Sequence, residues 1–195
     1  MPALVVGLGN PGGEYSRTRH NVGWMVLDEL ERRGRFSRER RQGQARVREG
    51  TLEGMDVVTA RPTTYMNLSG RAVKQLTDAL SVLPEDVVVV HDEADFPLGK
   101  IQVKHGGRSA GHRGVQSLMD SWRTQDFTRV RVGVGRPDGD GDLVDHVLDR
   151  FDRDERDQLD ASIARAADAV VTILSVGPHE AMTRHNRPPA PRQPQ

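Results

Sequence analysis

The segment ALVVGLGNPGGEYSRTRHN, residues 3–21, constrains the fold more than any other part of the chain. Residues 3–8 form an uninterrupted apolar run, which is typical of a strand covered on both faces of a sheet. Glycines and a proline then stop regular structure until a helical pattern begins near His20. Because ligands in an open α/β sheet bind beyond the carboxyl ends of the strands, this segment predicts that Asn10 and His20 lie at a functional site.

Strand-like and helical patterns alternate along the rest of the chain, which is typical of an α/β fold. Strands are predicted at 44–52, 57–60, 87–90, 100–104 and 129–135, and helices at 20–33, 69–80, 115–122 and 154–176, with a last short helix reaching residue 185. The strand at 44–52 is strongly charged, so we expect it at an edge of the sheet. We predict one folded domain, residues 1–186, followed by a disordered proline-rich segment, residues 187–195.

Composition excludes several classes of protein. Cysteine is absent, which excludes disulfides, thiolate metal sites and cysteine nucleophiles. Only 35% of the residues are hydrophobic, and neither an apolar run long enough to span a membrane nor a basic-then-apolar leader is present. We therefore expect a cytoplasmic protein without membrane contacts.

The charges are segregated although the formal net charge is zero. Residues 32–48 contain eight arginines and one glutamate, and residues 100–136 contain eight lysines or arginines and two aspartates. Residues 137–160 reverse the sign, with ten acidic residues and three arginines. The pattern favours a local basic face for phosphates on a neutral molecule, with ordinary solvated surfaces as the alternative.

Two short patterns suggest other activities. Residues 7–12 match the dinucleotide fingerprint GxGxxG, but Pro11 and the glycines delay the helix on which that motif depends. Residues 107–111 match the nucleophile pattern GxSxG, and Asp145 and His146 follow in the chain order of a triad. The preceding strand is short and charged, so a serine hydrolase that uses Ser109 is kept only as a minor alternative.

Metal binding is not expected. The histidine and acidic residues near the strand ends show no HExxH or other tight ligand spacing; they are His20, His91, Asp92, Glu93, His105 and His112. For His91 and His105 we expect a structural or surface role.

The remaining polar residues suit hydrolysis of an acyl bond. A neutral imidazole, His20, can take a proton from water, and a carboxylate at a strand end, Asp92, can orient it. Asparagine side chains can hold a substrate amide or donate to a developing oxyanion, and the candidates are Asn10, Asn21 and Asn67. From spacing alone, a helix-capping or packing role for His20 is at least as well supported.

Five segments resemble the bacterial-type peptidyl-tRNA hydrolase family in order and spacing. They are VGLGNPGGEYSRTRHNVG (6–23), TTYMNLSG (63–70), HDEADFPLGK (91–100), SAGHRGVQSL (109–118) and FTRVRVGVGRP (127–137). The resemblance implies a monomeric α/β domain with a mixed twisted sheet sandwiched between helices. It also implies hydrolysis, without a cofactor, of the ester that joins a peptide to the 3′ ribose of tRNA, which recycles the tRNA for translation.

The resemblance implies a role for particular residues. His20 would be the general base and Asp92 would orient it. Asn10 and Asn67 would position the peptide backbone and the water or oxyanion, and His112 would lie in the loop that covers the site. The other residues expected to bind substrate are Tyr15, Asn21, Tyr65 and Arg113. Lys104 and Arg131 would hold the 5′ phosphate of the tRNA acceptor stem.

One position departs from the family pattern. The family has asparagine after the histidine of the GHNG segment, and this chain has Arg113. Arginine adds a charge and a longer reach, which favours a contact with the tRNA acceptor end. The same departure leaves open an RNA-binding homologue with reduced or lost catalysis.

Overall fold

A computed structural model describes residues 2–187 of the chain. The proline-rich segment predicted to be disordered lies, apart from its first residue, outside the described residues.

The centre of the molecule is a mixed sheet of eight strands. They are β1 (Ala3–Gly7), β2 (Arg35–Phe36), β3 (Arg40–Gln42), β4 (Ala45–Leu52), β5 (Met55–Pro62), β6 (Val87–Glu93), β7 (Ile101–His105) and β8 (Thr128–Gly133). Their order is β2-β4-β5-β1-β6-β8-β7, with β3 paired to β4. Strands β5, β1, β6 and β8 run parallel to one another, and the outer pairs are antiparallel.

Helices cover both faces of the sheet, as predicted. They are α1 (Val22–Arg33), α2 (Ser69–Leu80), α3 (Arg113–Trp122), α4 (Leu143–Leu148), α5 (Arg156–Val176) and α6 (Pro178–His185). One apolar core lies under α1, α5 and α6, and a second lies under α2 and α3. Successive residues of β1 alternate between them, with Val5 in the first core and Leu4 and Val6 in the second. The α/β sandwich with a mixed sheet is therefore confirmed.

The prediction that residues 44–52 form an edge strand is wrong. Strand β4 pairs with β5 along its whole length, while β2 and β3 pair with β4 on its other side. Strands β2 and β3 were not predicted, because they are short, carry arginine and lack the apolar alternation by which strands are recognised. The charged side chains of β4 are accommodated because its buried positions are occupied by Ala45, Val47 and Leu52.

Strand β6 extends beyond its predicted end at Val90. It continues through His91, Asp92 and Glu93, and all of these residues are buried. Parallel pairing with β8 holds this polar end in place, with Asp92 opposite Val132. The carboxylate that sequence analysis assigned to a strand end is thus part of the sheet itself.

Close packing of α1 on the sheet requires glycine. A Cβ atom on Gly23 would lie 2.5 Å from the carbonyl oxygen of Val90 and 2.8 Å from that of Leu8. A Cβ atom on Gly7 would lie 2.7 Å from the carbonyl oxygen of Gly23. Gly7, the first glycine of the pattern that imitates a dinucleotide fingerprint, therefore allows α1 to approach the strands together with Gly23. This brings the residues just before α1 close to the end of β6.

We predict that Gly23→Ala lowers the free energy of unfolding by about 1–3 kcal/mol, because the added methyl group collides with backbone atoms of two strands. Urea unfolding followed by circular dichroism measures the change. Gly13→Ala is the matched control, since a Cβ atom there meets nothing within 4 Å. An unfolding free energy equal to that of the parent for Gly23→Ala would contradict this account of the packing.

Candidate active site

A cavity of about 590 Å³ opens at the carboxyl ends of β1 and β6. Its polar lining includes His20, Asp92 and His112, and the carboxamides of Asn10 and Asn67. The sequence predicted that these residues would meet, and the structure brings them together although they come from four separate segments of the chain.

Two imidazoles share the carboxylate of Asp92. Nδ1 of His20 lies 2.8 Å from Oδ2, and Nε2 of His112 lies 2.6 Å from Oδ1. The side chain of Asp92 is 3% exposed, so these contacts replace the water that a carboxylate requires. The predicted pairing of His20 with Asp92 is present, and the second histidine on the same carboxylate was not anticipated.

Hydrogen bonding defines which nitrogen of each ring carries a proton. Nδ1 of His112 accepts from the backbone N–H of Val115 at 3.2 Å, so the proton of His112 lies on Nε2 and is donated to Asp92. His20 donates from Nδ1 to the other oxygen, which leaves the lone pair of its Nε2 free. A partly exposed imidazole in this tautomer can accept a proton from water.

The electrostatics of the site favour a charged Asp92 and a His20 that is more basic than an ordinary histidine. Burial raises the pKa of Asp92, but the nearby His20 and His112 outweigh it and hold that pKa well below its usual range. Burial lowers the pKa of His20, but the charge of Asp92 and its hydrogen bond outweigh burial and raise the pKa above 6.5. The charge of Arg113 opposes that rise.

Behind these rings lies a third histidine that does not face the cavity. His91 is fully buried, and its ring lies edge-on to the ring of His112 at 4.7 Å between centroids. Its Nδ1 donates to the carbonyl oxygen of Asp92 at 2.7 Å. Burial lowers the pKa of His91 well below 6.5, which keeps the ring uncharged. The structural role expected for His91 is therefore confirmed.

A pair of asparagines shapes the loop after β1. The carboxamide of Asn21 accepts from the backbone N–H of Asn10 at 2.8 Å and donates to its carbonyl oxygen at 2.9 Å. Oδ1 of Asn10 accepts from the backbone N–H of Met66 at 2.8 Å. The Nδ2 group of Asn10 forms no hydrogen bond within residues 2–187, and Asn10 lines the cavity. Asn21, which was expected to bind substrate, is fully buried, is not part of the cavity wall and holds the backbone of Asn10.

The other residues expected to bind substrate are distributed unevenly. Tyr65, Asn67 and Arg113 line the cavity and are exposed. Tyr15 lies in a short 3₁₀ turn and is not part of the cavity wall, so its contact with substrate stays a prediction.

An apolar wall of the cavity was missed by sequence analysis. It comes from α4, whose cavity-facing residues are Leu143, Val144, Val147 and Leu148. The short LVxxVL pattern was the available signal, but it lies within the acidic segment 137–160 and was overlooked. Asp142 begins this helix by accepting from the backbone N–H groups of Val144 and Asp145. The wall makes one side of the cavity suitable for apolar groups.

The two basic residues expected to hold a phosphate differ in their surroundings. Arg131 donates to Glu93 at 2.7 Å and lies over the ring of Phe96. The side chain of Lys104 forms no hydrogen bond or ion pair within residues 2–187. Burial, followed by the charges of Arg129 and Arg131, lowers the pKa of Lys104. Of the two cations, only Lys104 is therefore free of an acidic partner in the described part of the chain.

Arg129 lies between these residues and the loop that carries His112. It is 1% exposed, and its guanidinium donates to the carbonyl oxygens of Gly106, Gly107 and Arg108. These contacts fix the start of the glycine-rich loop. Only the folded loop reveals these acceptors, because they follow β7 in the sequence and are more than 20 residues from Arg129.

The triad suggested by GxSxG is not formed. The hydroxyl of Ser109 donates to Gln116 at 2.8 Å, and Nε2 of His146 lies 3.3 Å from the carbonyl oxygen of Val134. Neither side chain is available to the other, so the serine-hydrolase alternative loses its geometric basis.

The cluster around Asp92 also has the composition of a transition-metal site. The donor atoms of His20, Asp92 and His112 lie within 4.8 Å of one another, although their separation in the sequence gave no ligand spacing. Two imidazoles and one carboxylate are a donor set that divalent transition metals accept. The same atoms are already connected by hydrogen bonds, which makes proton transfer the chemistry that this arrangement serves without rearrangement.

The fold and cavity define an α/β protein of the hydrolase type, in which a carboxylate-oriented histidine faces a cavity at the ends of parallel strands. Residues 4–193 match the family model described as peptidyl-tRNA hydrolase. The peptidyl-tRNA hydrolase of Thermodesulfovibrio yellowstonii is 44% identical over 94% of this chain and 98% of its own length. That of Nocardia farcinica is 48% identical over 90% of this chain and 92% of its own.

A solved structure agrees with these sequence relatives. The crystal structure of peptidyl-tRNA hydrolase from Acinetobacter baumannii superposes with a TM-score of 0.88 and 32% identity, covering 95% of this chain and 94% of that one. The chain belongs to the peptidyl-tRNA hydrolase family. Within residues 2–187, no helix combines the length and apolar character needed to cross a bilayer.

The buried His91 generates a prediction about stability and pH. Because its pKa is lowered in the folded protein, the unfolded chain binds a proton that the folded chain does not as the pH falls below 6.5. The contribution of the neutral His91 ring to the free energy of unfolding is thus present above pH 6.5 and is lost as the pH falls below it. We predict that His91→Gln reduces the loss of unfolding free energy between about pH 6.5 and 5.5 by up to about 1.4 kcal/mol.

Urea unfolding at a series of pH values measures this difference. His105→Gln is the control, because His105 is half-buried and paired with Asp126. Parallel stability profiles for the parent and His91→Gln would show that the buried ring does not resist protonation.

Proposed function

We propose that this chain hydrolyses the ester between a peptide and the 3′ ribose of tRNA and releases the tRNA for reuse. Family membership supports the substrate, and the geometry of Asp92 between two imidazoles is the single observation that supports the chemistry. The alternative of an RNA-binding homologue without catalysis gains nothing from the comparisons, since the relatives are named as hydrolases.

The reaction proceeds through water activated by His20. Nε2 of His20 takes a proton from water while the oxygen attacks the ester carbonyl, and the charge of Asp92 stabilises the resulting imidazolium. The tetrahedral intermediate then expels the ribose 3′ oxygen, and His20 returns its proton to that oxygen. The products are a peptide carboxylate and a tRNA with a free 3′ hydroxyl.

Residues around the cavity position the substrate. The free Nδ2 donor of Asn10 and the carboxamide of Asn67 are suited to a peptide carbonyl or a developing oxyanion. Tyr65 and the apolar wall of α4 receive the peptide. His112 holds the second oxygen of Asp92, so that the carboxylate keeps one oxygen directed at His20.

Three further features belong to the same proposal. The enzyme acts without a metal, because both oxygens of Asp92 already accept from imidazole N–H groups and a cation there would displace those protons. It binds tRNA through phosphates near Lys104, so binding is indifferent to tRNA sequence and sensitive to salt. It acts as a monomer in the cytoplasm, where peptidyl-tRNA is produced.

We predict that His20→Ala lowers kcat by about 10²- to 10⁴-fold, the range that general-base catalysis contributes, while the affinity for tRNA changes little. Release of tRNA from purified peptidyl-tRNA measures turnover, and filter binding of deacylated tRNA measures affinity. Ser109→Ala is the control and should retain kcat, because the Ser109 hydroxyl donates to Gln116 and the backbone carbonyl that accepts from His112 is kept in the variant.

Retained turnover in His20→Ala would refute the mechanism, and an inert Ser109→Ala would restore the serine-hydrolase alternative. The same assay tests the absence of a metal. Prior dialysis against a chelator of transition metals, with Mg²⁺ held constant for the tRNA, should leave kcat unchanged.

A second prediction concerns the phosphate contact. Because Arg131 is paired with Glu93 and Lys104 is not, Lys104→Ala should raise KM more than Arg131→Ala does. Loss of one phosphate contact should also reduce the slope of log(kcat/KM) against log salt by about 0.7–0.9. Lys74→Ala is the control, since Lys74 is exposed and paired with Asp78 on α2.

Measurements of KM and kcat/KM at several salt concentrations test both expectations. A larger effect for Arg131→Ala would mean that substrate binding breaks the pair with Glu93. An unchanged KM for both variants would refute the phosphate contact.

A further inference from the structure

Arg113 is a cation that lines the cavity. It is the first residue of α3 and lines the same cavity as His20 and Asn67. Its side chain is exposed and forms no hydrogen bond or ion pair within the described range 2–187. The guanidinium therefore has all of its donors available to a ligand.

The other arginine of the cavity wall provides a contrast. Arg136 is bound to Asp95, with Nε at 2.7 Å from Oδ1. The adjacent carboxylate of Asp95 offsets the charge of Arg136 and repels an approaching anion. The available positive charge in the cavity is thus concentrated on Arg113.

Arg113 also lies close enough to His20 for its positive charge to affect protonation of the imidazole. The charge of Arg113 is one of the influences that lower the pKa of His20. An anion bound to Arg113 would consequently lie beside the reacting group. Among the groups of a peptidyl-tRNA, the anion nearest to the ester is the last phosphodiester, which is joined to the 5′ oxygen of the same terminal ribose.

We propose that Arg113 binds this terminal phosphodiester of the tRNA and thereby places the ester carbonyl next to His20. The inference rests on the proposed function and adds a subsite to it. A guanidinium suits this role because its planar fork donates two parallel hydrogen bonds to phosphate oxygens. The asparagine expected at this position from the family pattern could donate hydrogen bonds but could not neutralise the charge.

The subsite couples binding to proton transfer. In the free enzyme, the charge of Arg113 works against protonation of His20. A bound phosphate neutralises that charge, so the pKa of His20 rises when substrate is present and the imidazole becomes a stronger base. The acidic limb of the pH profile should therefore lie at higher pH for kcat than for kcat/KM.

Binding to chemically altered tRNA tests the subsite without any catalysis. Deacylated tRNA is compared with the same tRNA carrying a neutral methylphosphonate at its last internucleotide linkage. For the parent, we expect the neutral linkage to weaken tRNA binding about tenfold, which is the effect of losing one charged contact. For Arg113→Gln, which already lacks that contact, the neutral linkage should hardly change the affinity. Arg123→Gln, at the opposite end of α3, is the matched control and should respond as the parent does.

If the neutral linkage reduced the tRNA affinity of the parent and of Arg113→Gln equally, the proposal would be overturned, because the phosphate would then be bound by another residue. Since the tRNA is deacylated, this result does not depend on turnover. The proposed hydrolysis can therefore fail in the His20 assay while the subsite is confirmed, and the reverse can also occur.

Kinetics provide a second readout that a merely structural role would not change. On peptidyl-tRNA, Arg113→Gln should raise KM about tenfold and shift the acidic limb of kcat/KM to higher pH. On the same peptide esterified to adenosine, which lacks the phosphate, KM should equal that of the parent. A KM that rises equally on both substrates, or only for peptides with acidic side chains, would assign Arg113 to the peptide and overturn the proposal.

Discussion

The buried carboxylate of Asp92 is the element on which the rest of the site depends. A carboxylate that is 3% exposed is unstable as a charge unless it is hydrogen-bonded, and here two imidazole N–H groups meet this requirement. The carboxylate in turn determines the tautomers of His20 and His112, because each ring carries a proton on the nitrogen that faces Asp92. One ring is thereby left with a free lone pair toward the cavity, and the other is fixed by the backbone N–H of Val115.

The fold supplies this arrangement by bringing three segments to one edge of the sheet. Strand β6 carries Asp92 in a fully paired position, and close packing of α1 against β1 brings His20 to it. The loop that delivers His112 is anchored at its start by the buried guanidinium of Arg129 and at its end by α3. None of the three segments holds its polar side chain at the cavity unaided, since each depends on contacts with the other two.

Some of the basic side chains that the sequence offered as phosphate ligands are already paired with carboxylates in the fold. The basic segment 100–136 indicated a phosphate-binding face, yet Arg131 is paired with Glu93 and Arg136 with Asp95. The cations that lack acidic partners in the described chain include Lys104, near the end of β7, and Arg113, which lines the cavity together with His20. The basic composition of a segment is thus a poorer guide to candidate phosphate ligands than the pairing of each side chain.

The sequence by itself determined the α/β class, most elements and the choice of His20 and Asp92 as partners, which the structure brings into contact. It could do so because apolar periodicity and the order of the motifs are local properties. It could not indicate that β4 lies inside the sheet, that α4 forms an apolar wall, or that Asn21 serves the backbone of Asn10. Nor could it show that His112 shares the carboxylate of Asp92 or that Arg131 is already paired. Those outcomes depend on which side chains meet across long separations in the chain, and only tertiary packing decides which charges are buried together and which are left in contact with solvent.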